Sequence, residues 1–321
     1  MTQAGGKIYT IASGKGGVGK TSLTASIGVA LAATGNKVVL VDADLSGPNL
    51  HTFFGISQPK HTLYDFYMNE RPSLVDLVLR TPYKNLYLIS GAIGTLGIAN
   101  QKYFQKQRLI RQMRKLPAAY IILDIGSGAS YNEIDLSLVG DEQIVISTPE
   151  PTSILEAFSF VKVSLLRNLV RALRNHPEAL EVISRIGFNR PDGQLKTTAN
   201  GLLVNIGRID AEAGWIFRSI LNTYRPRLLA NMIRRRGDVQ EVLSIRTAAK
   251  TLLSLNVGYV GHIPTDPAIR NAIDVYQPFF AVDPKSKASK AVSRLVQEHM
   301  LNTNHSLRSQ GKRSWWHLSF S

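Results

Sequence analysis

Apolar runs that alternate with helix-spaced segments dominate the chain. KIYTIA (7–12) is a short β-rich run that stops directly on a glycine loop. TSLTASIGVALAATG (21–35) follows with helical spacing and closes on Gly35, a natural C-terminal stop. KVVLVDAD (37–44) is a continuous apolar run that ends on two aspartates, the pattern of a parallel strand covered on both faces. NLYLIS (85–90), YIILDI (120–125), EQIVIS (142–147), RLLANMI (227–233) and VGYVGHI (257–263) read as further buried strands. Helices are predicted near 99–115, 151–174, 239–254, 266–275 and 286–300. This alternation predicts an α/β fold: a mainly parallel, doubly wound sheet with helices on both faces and right-handed crossovers. Ligands of such sheets bind at the carboxyl ends of the strands, where the glycine loop and the aspartates fall.

Two regions break the rhythm. Residues 175–226 separate the helix after EQIVIS from the next strand and read as a helical hairpin inserted into the domain, although GLLVNI (201–206) also has the composition of a strand. Beyond about 302 the chain turns polar and basic and ends on WWHLSFS. The expected organisation is one domain over 1–300 with an insertion at about 175–226, then a flexible basic and aromatic tail over 301–321.

With 321 residues and 44% of them hydrophobic, the chain has the material for a full core. No apolar stretch reaches the roughly 18–20 residues of a membrane-spanning helix. The start, MTQAGGKIYT, has no apolar core of a signal peptide, so a cytoplasmic protein is expected. The absence of cysteine excludes disulfides, thiolate zinc sites and cysteine-ligated iron–sulfur clusters on this chain. Thirty-eight Lys and Arg against 23 Asp and Glu give a formal charge of +15, which favours a polyanion or an anionic membrane surface as partner.

The loop itself, SGKGGVGKTS (13–22), carries the most specific chemistry. Gly14-Lys15-Gly16-Gly17-Val18-Gly19-Lys20-Thr21 satisfies G-x-x-x-x-G-K-[ST] between a predicted strand and a predicted helix, with Ser22 continuing into that helix. Glycines let successive backbone N–H groups turn inward onto phosphate oxygens, and the helix N-terminus adds its dipole. In this pattern Lys20 reaches the β and γ phosphates and the Thr21 hydroxyl ligates Mg²⁺. An ordinary phosphate loop has no need of Lys15.

The run K-G-G-V-G-K-T resembles the deviant Walker A motif of the MinD/ParA family of ATPases. The resemblance implies a P-loop NTPase sheet, ATP and Mg²⁺ as ligands, and an ATP-dependent homodimer in which Lys15 reaches the partner's nucleotide, a charge supplied in trans like an arginine finger. VDADLSGPNLHTFFG (41–55) resembles the family's switch I, which implies Asp42 near Mg²⁺ and Asp44 as the group that orients attacking water. YIILDIGSG (120–128) resembles Walker B and switch II, with Asp124 holding the Mg²⁺ shell and Gly126 and Gly128 in the D-x-G-x-G pattern. STPEPTSILEAF (147–158) is similar to the T-P-E-P-T-S segment of flagellar-number regulators in the same family. LLANMI and GHIPTDPAIRNAI imply Asn231 and Pro264 at the base, with Asn205 as a rival to Asn231. Glu150 and Ser153 read as caps of the following helix, and His51, His61 and His262 as ordinary residues.

Three basic tracts, 101–115, 224–236 and 306–321, are candidates for contact with DNA or an anionic membrane. In the first, Lys102, Lys106, Arg108, Arg111, Arg114 and Lys115 fall mostly at helical spacing and predict one charged face. In the tail, Trp315, Trp316, Leu318 and Phe320 beside Lys312 and Arg313 suit a lipid interface. The main expectation is a positioning switch driven by ATP hydrolysis, slow until an unidentified protein partner stimulates it. The alternatives are an Mrp-like iron–sulfur carrier relative, which the missing cysteines disfavour, and a nucleotide-dependent scaffold that barely turns over.

Overall fold

The computed structural model describes residues 5–44, 47–68, 70, 73–91, 103–186 and 197–301. The first half of the chain contains β1 (Lys7–Ser13), α1 (Lys20–Ala33), β2 (Val38–Ala43), α2 (Leu63–Tyr67), β3 (Leu79–Arg80), β4 (Leu86–Ile89), α3 (Tyr103–Met113), β5 (Tyr120–Ser127), α4 (Tyr131–Ser137) and β6 (Glu142–Ser147). The second half contains α5 (Pro151–Ala172), α6 (Pro177–Ile186), α7 (Ala199–Ile209), α8 (Ala211–Thr223), β7 (Arg227–Ile233), α9 (Arg236–Leu253), β8 (Gly258–Pro264), α10 (Pro267–Asp274), α11 (Phe279–Val282) and α12 (Lys287–Leu295). After α12 the chain widens into a π-helical turn, Val296–Leu301.

The eight strands form one sheet in the order β3-β4-β2-β5-β1-β6-β7-β8. Every pairing is parallel except β3 with β4, so the sheet is mixed at one edge. Strand β1 lies between β5 and β6, and the chain winds away from it in both directions, which opens a crevice at its carboxyl end.

Continuous apolar strands are explained by burial on two sides. Ile122 of β5 and Ile144 and Ile146 of β6 face one core, which contains α1, α11 and α12. Their neighbours face the other side, Val145 toward α5, α8 and α9 and Ile121, Leu123 and Ile125 toward α2, α3 and α4. Twelve of the fourteen residues of α1 are buried, so this helix is apolar nearly all round rather than amphipathic. It ends at Thr34 with Gly35 at φ +89°, the left-handed position glycine takes without strain.

The stretch read as an insertion is helical, and GLLVNI lies within α7 rather than in a strand. Leu202, Ile206, Phe217 and Leu221 join the same core as α5 and α9, and the Tyr224 hydroxyl donates to Gln143 Oε1 of β6. Residues 187–196 of that stretch and the tail from 302 onward, with Lys312, Arg313, Trp315, Trp316, Leu318 and Phe320, lie outside the described residues. No helix among the described residues is long and apolar enough to cross a membrane.

Candidate functional site

The loop between β1 and α1 lies at the carboxyl end of the central strand. Gly17 and Gly19 hold φ near +77° and +83°, values that non-glycine residues take only under strain. A Cβ on Gly14 would run into the backbone carbonyl of Glu156 in α5, so that glycine is required by close approach. Gly19 is the N-cap of α1 and supplies no side-chain cap, leaving the first-turn N–H groups to an anion.

Lys20 begins α1 and is buried, its Nζ 3.2 Å from Asp124 Oδ1 on β5. The Thr24 hydroxyl, one turn further on, donates to the same oxygen at 3.2 Å. Thr24 went unnoticed in the sequence, although its i+4 spacing from Lys20 places it on the same helix face. The other Asp124 oxygen, Oδ2, is buried with no hydrogen-bond partner.

Asp42 and Asp124 are register partners on the adjacent strands β2 and β5. The Asp42 carboxylate accepts from the backbone N–H groups of Asp44 (3.2 Å) and Leu50 (3.0 Å). Burial, and secondly the charge of Asp124, push its carboxyl up to about 8. Two buried carboxylates, one with an unsatisfied oxygen, fit a hard cation, and Asp42, Asp124 and the Thr21 hydroxyl suit Mg²⁺, which binds through one or two carboxylates plus substrate phosphates. Among the described residues no three of His, Asp and Glu form a metal cage.

Asp44 follows β2, and its Oδ1 accepts from the Gly47 N–H at 3.0 Å. Leu45 and Ser46, in the segment resembling switch I, lie outside the described residues. A Cβ on Gly126 would fall 3.3 Å from that same Asp44 oxygen, so the two segments that resemble switches I and II meet beside the loop.

Asn231, on β7, is buried against the loop itself. Its Nδ2 donates to the Val18 carbonyl at 2.7 Å, and its Oδ1 is buried without a partner. Pro264 ends β8 in register with Ile233, at the same edge of the sheet. Asn205 lies on α7 in the helical layer rather than at a strand end.

Two expectations need correction. Glu150 occupies the N-cap position of α5 but makes no side-chain cap. Its carboxylate instead accepts from Lys15 Nζ at 2.8 Å, and Lys15 also donates to the Thr152 hydroxyl at 2.8 Å. This pairing holds the Glu150 carboxyl below the usual range. Ser153 does not cap either: its hydroxyl accepts from the Thr148 N–H and ties down the loop after β6.

The predicted charged face of 101–115 is divided between structural duties. Lys106 is buried on Asp135, Arg108 stacks 4.2 Å from the Phe66 ring centroid, and Arg114 pairs with Asp141. Only Arg111 and Lys115 are exposed, while Lys102 lies outside the described residues. In the second tract Arg227 pairs with Glu142 and Arg235 with Asp238 and Glu241, while Arg234 and Arg236 stay exposed at the end of β7. The tract 306–321 is not among the described residues. Of the histidines, His51 is buried and His262 meets the Tyr259 hydroxyl.

The chain is similar to several known proteins. The antiactivator FleN of Pseudomonas aeruginosa is 25% identical over 295 residues, covering 91% of this chain and 85% of FleN. The septum site-determining protein MinD of a Synechocystis strain is 34% identical over 175 residues, covering 51% of this chain and 65% of that MinD. Among solved structures, the MinC:MinD complex of Aquifex aeolicus gives a TM-score of 0.61 at 20% identity, covering 92% of this chain and 96% of the other. MinD of Pyrococcus horikoshii with Mg-ADP gives 0.60 at 21% identity, covering 93% and 98%. Residues 9–279 match the family described as the CobQ/CobB/MinD/ParA nucleotide binding domain, and the chain belongs to that family.

Proposed function

We propose that this chain is a Mg²⁺-dependent ATPase of MinD/ParA type that alternates between a monomer and an ATP-bound homodimer and so acts as a positioning switch. The reading rests chiefly on the contrast between the two lysines of one loop. Lys20 is buried on Asp124, where it would hold its own subunit's triphosphate. Lys15 lies at the surface with its side chain 34% exposed, within reach of a second molecule.

Bound between Asp42, Asp124 and Thr21, Mg²⁺ would draw charge from the phosphate oxygens. The chain's own groups do the positioning. The loop N–H groups and Lys20 fix the phosphates, Asp44 orients water, and Asn231 with Pro264 borders the base. Little covalent chemistry falls to side chains in phosphoryl transfer, so turnover follows from positioning and charge. Loss of the γ-phosphate charge would release Lys15 and with it the partner subunit. Slow intrinsic turnover, raised by a protein partner, completes the proposal.

The relatives' names support regulation rather than metabolism: an antiactivator and septum site-determining proteins. One structural neighbour was solved as a complex with MinC, which supports a protein partner here. The net charge of +15 and the exposed Arg234 and Arg236 favour an anionic surface, DNA or the inner face of the cell membrane, as the place of action.

Sedimentation of Asp44→Ala with ATP and with ADP tests the switch. A dimer with ATP alone is expected. A monomer at every concentration with both nucleotides would sink the proposal.

A further inference from the structure

Attacking water has two O–H bonds to fix before its lone pair can face phosphorus. One acceptor, Asp44, constrains one of them. The geometry around Gly126 points to a second acceptor, and we propose that it is Glu133, a residue outside every motif described above. The inference rests on the reading of Asp44 as the water-orienting group.

Glu133 sits in the first turn of α4, directly after the segment that holds Asp124, Gly126 and Gly128. One of its oxygens, Oε2, accepts from the hydroxyl of Ser130, the N-cap of the same helix. This tether aims the other oxygen, Oε1, over Gly126. A Cβ on Gly126 would stand 3.4 Å from Glu133 Oε1 and 3.3 Å from Asp44 Oδ1. Both oxygens therefore border the space that glycine leaves open, at most about 7 Å apart.

At O–H···O lengths of about 2.8 Å, one water gives both its hydrogens to oxygens about 4.5 Å apart, and a chain of two waters spans the full distance of about 7 Å, so every separation within this bound can be bridged by water. With both hydrogens engaged, the lone pair is left for in-line attack. Each carboxylate is already steadied from another side, Asp44 by the Gly47 N–H and Glu133 by Ser130. A side chain at 126 would fill the space the water needs, a role for that glycine separate from backbone flexibility.

Phosphate release by the full-length chain with saturating MgATP tests this, using wild type, Asp44→Asn, Glu133→Gln, the double variant and Glu133→Asp. Glu133→Gln keeps the size and the Ser130 contact but removes an acceptor. It is expected to lower kcat roughly tenfold, less than the roughly hundredfold or more of a group that itself takes the proton, with KM within about twofold and Tm unchanged. Combined with Asp44→Asn it should add little, because both act on one water. Glu133→Asp keeps the charge but withdraws it by one methylene and should also lose turnover. Wild-type kcat in Glu133→Gln or Glu133→Asp, losses that multiply fully in the double variant, or a loss that tracks a fallen Tm would overturn the assignment. Unchanged turnover in Asp44→Asn would instead overturn the reading of Asp44, and this inference with it.

Discussion

Replacing Asp42 by Asn turns the buried carboxylate pair into a measurable pH effect. Asp42 is 1% exposed and lies in register with Asp124, so ionising it means placing a second negative charge in the interior. Its carboxyl is raised from 3.8 to about 8, by burial first and Asp124 second, against the pull of two backbone N–H groups. The folded chain thus binds a proton that the unfolded chain releases across that interval. Stability from this group is complete below pH 4, falls as pH rises toward 8, and is flat above. At about 1.4 kcal/mol per pH unit, even the first two units above the unfolded value remove a few kcal/mol.

Asn in the same place carries no charge at any pH but can accept from only one of the two N–H groups, a loss of about 1–2 kcal/mol. Urea unfolding in EDTA, without nucleotide, from pH 5 to 9 should therefore show wild type falling steadily against a nearly flat variant, the two starting about equal near pH 5. Asp42→Asn is the more stable protein at pH 8.5. Added Mg²⁺ should restore wild type increasingly with pH and leave the variant unmoved. Parallel curves, with a constant difference from pH 5 to 9, would refute the reasoning.

Lys15→Ala should abolish the ATP-dependent dimer while leaving nucleotide binding by the monomer near wild type, as read by sedimentation and a fluorescent analogue. Glu150→Gln weakens the hold on Lys15 within its own subunit, so it should shift the ATP dimer to lower protein concentration; a shift to higher concentration would show that Glu150 assists assembly. Gly14→Ala brings a Cβ against the Glu156 carbonyl and should lower both Tm and ATP affinity, whereas Gly35→Ala, remote from the site, should affect Tm alone. Phe217→Ala empties a fully buried position shared with α5 and α9 and should lower unfolding free energy by about 3–5 kcal/mol in one transition, while a separate early transition would mean that α6–α8 fold on their own.

The readable parts of this molecule are those that depend on local pattern. Strands covered on both faces announce themselves as unbroken apolar runs, and the six after the first glycine loop that were expected from 37 to 263 are β2, β4, β5, β6, β7 and β8. The short β3 escaped because two residues, paired only with β4 at the sheet's edge, leave no periodic trace. GLLVNI was ambiguous for a physical reason: a run of six apolar and small residues fits either element, and only the burial of Leu202 and Ile206 in the core that α5 and α9 also join selects the helix. The tract 101–115 misled because helical spacing shows where cations lie on a helix but not which acids lie on its neighbours. Asp135 and Asp141 neutralise two of those cations from α4 and the turn before β6.

The same limit explains the site. That Lys20, Asp42 and Asp124 lie together was legible because the glycine loop and the aspartate-tipped strands end on the same side of a parallel sheet. Glu150 and Glu133 were not, since each owes its role to an atom brought close by the fold: Lys15 Nζ for one, the space over Gly126 for the other. A glutamate before Pro151 brings an acceptor to the start of α5, although its side chain is longer than those of the favoured caps Ser, Thr, Asp and Asn. It makes no cap because a lysine from the phosphate loop, 135 residues earlier, offers a full positive charge where the helix end offers only partial ones. An assembly that depends on Lys15 must therefore compete with an ion pair inside each subunit. In the proposed dimer the nucleotide phosphates of a second molecule would set several negative charges against one exposed carboxylate in that competition, and ADP would set fewer.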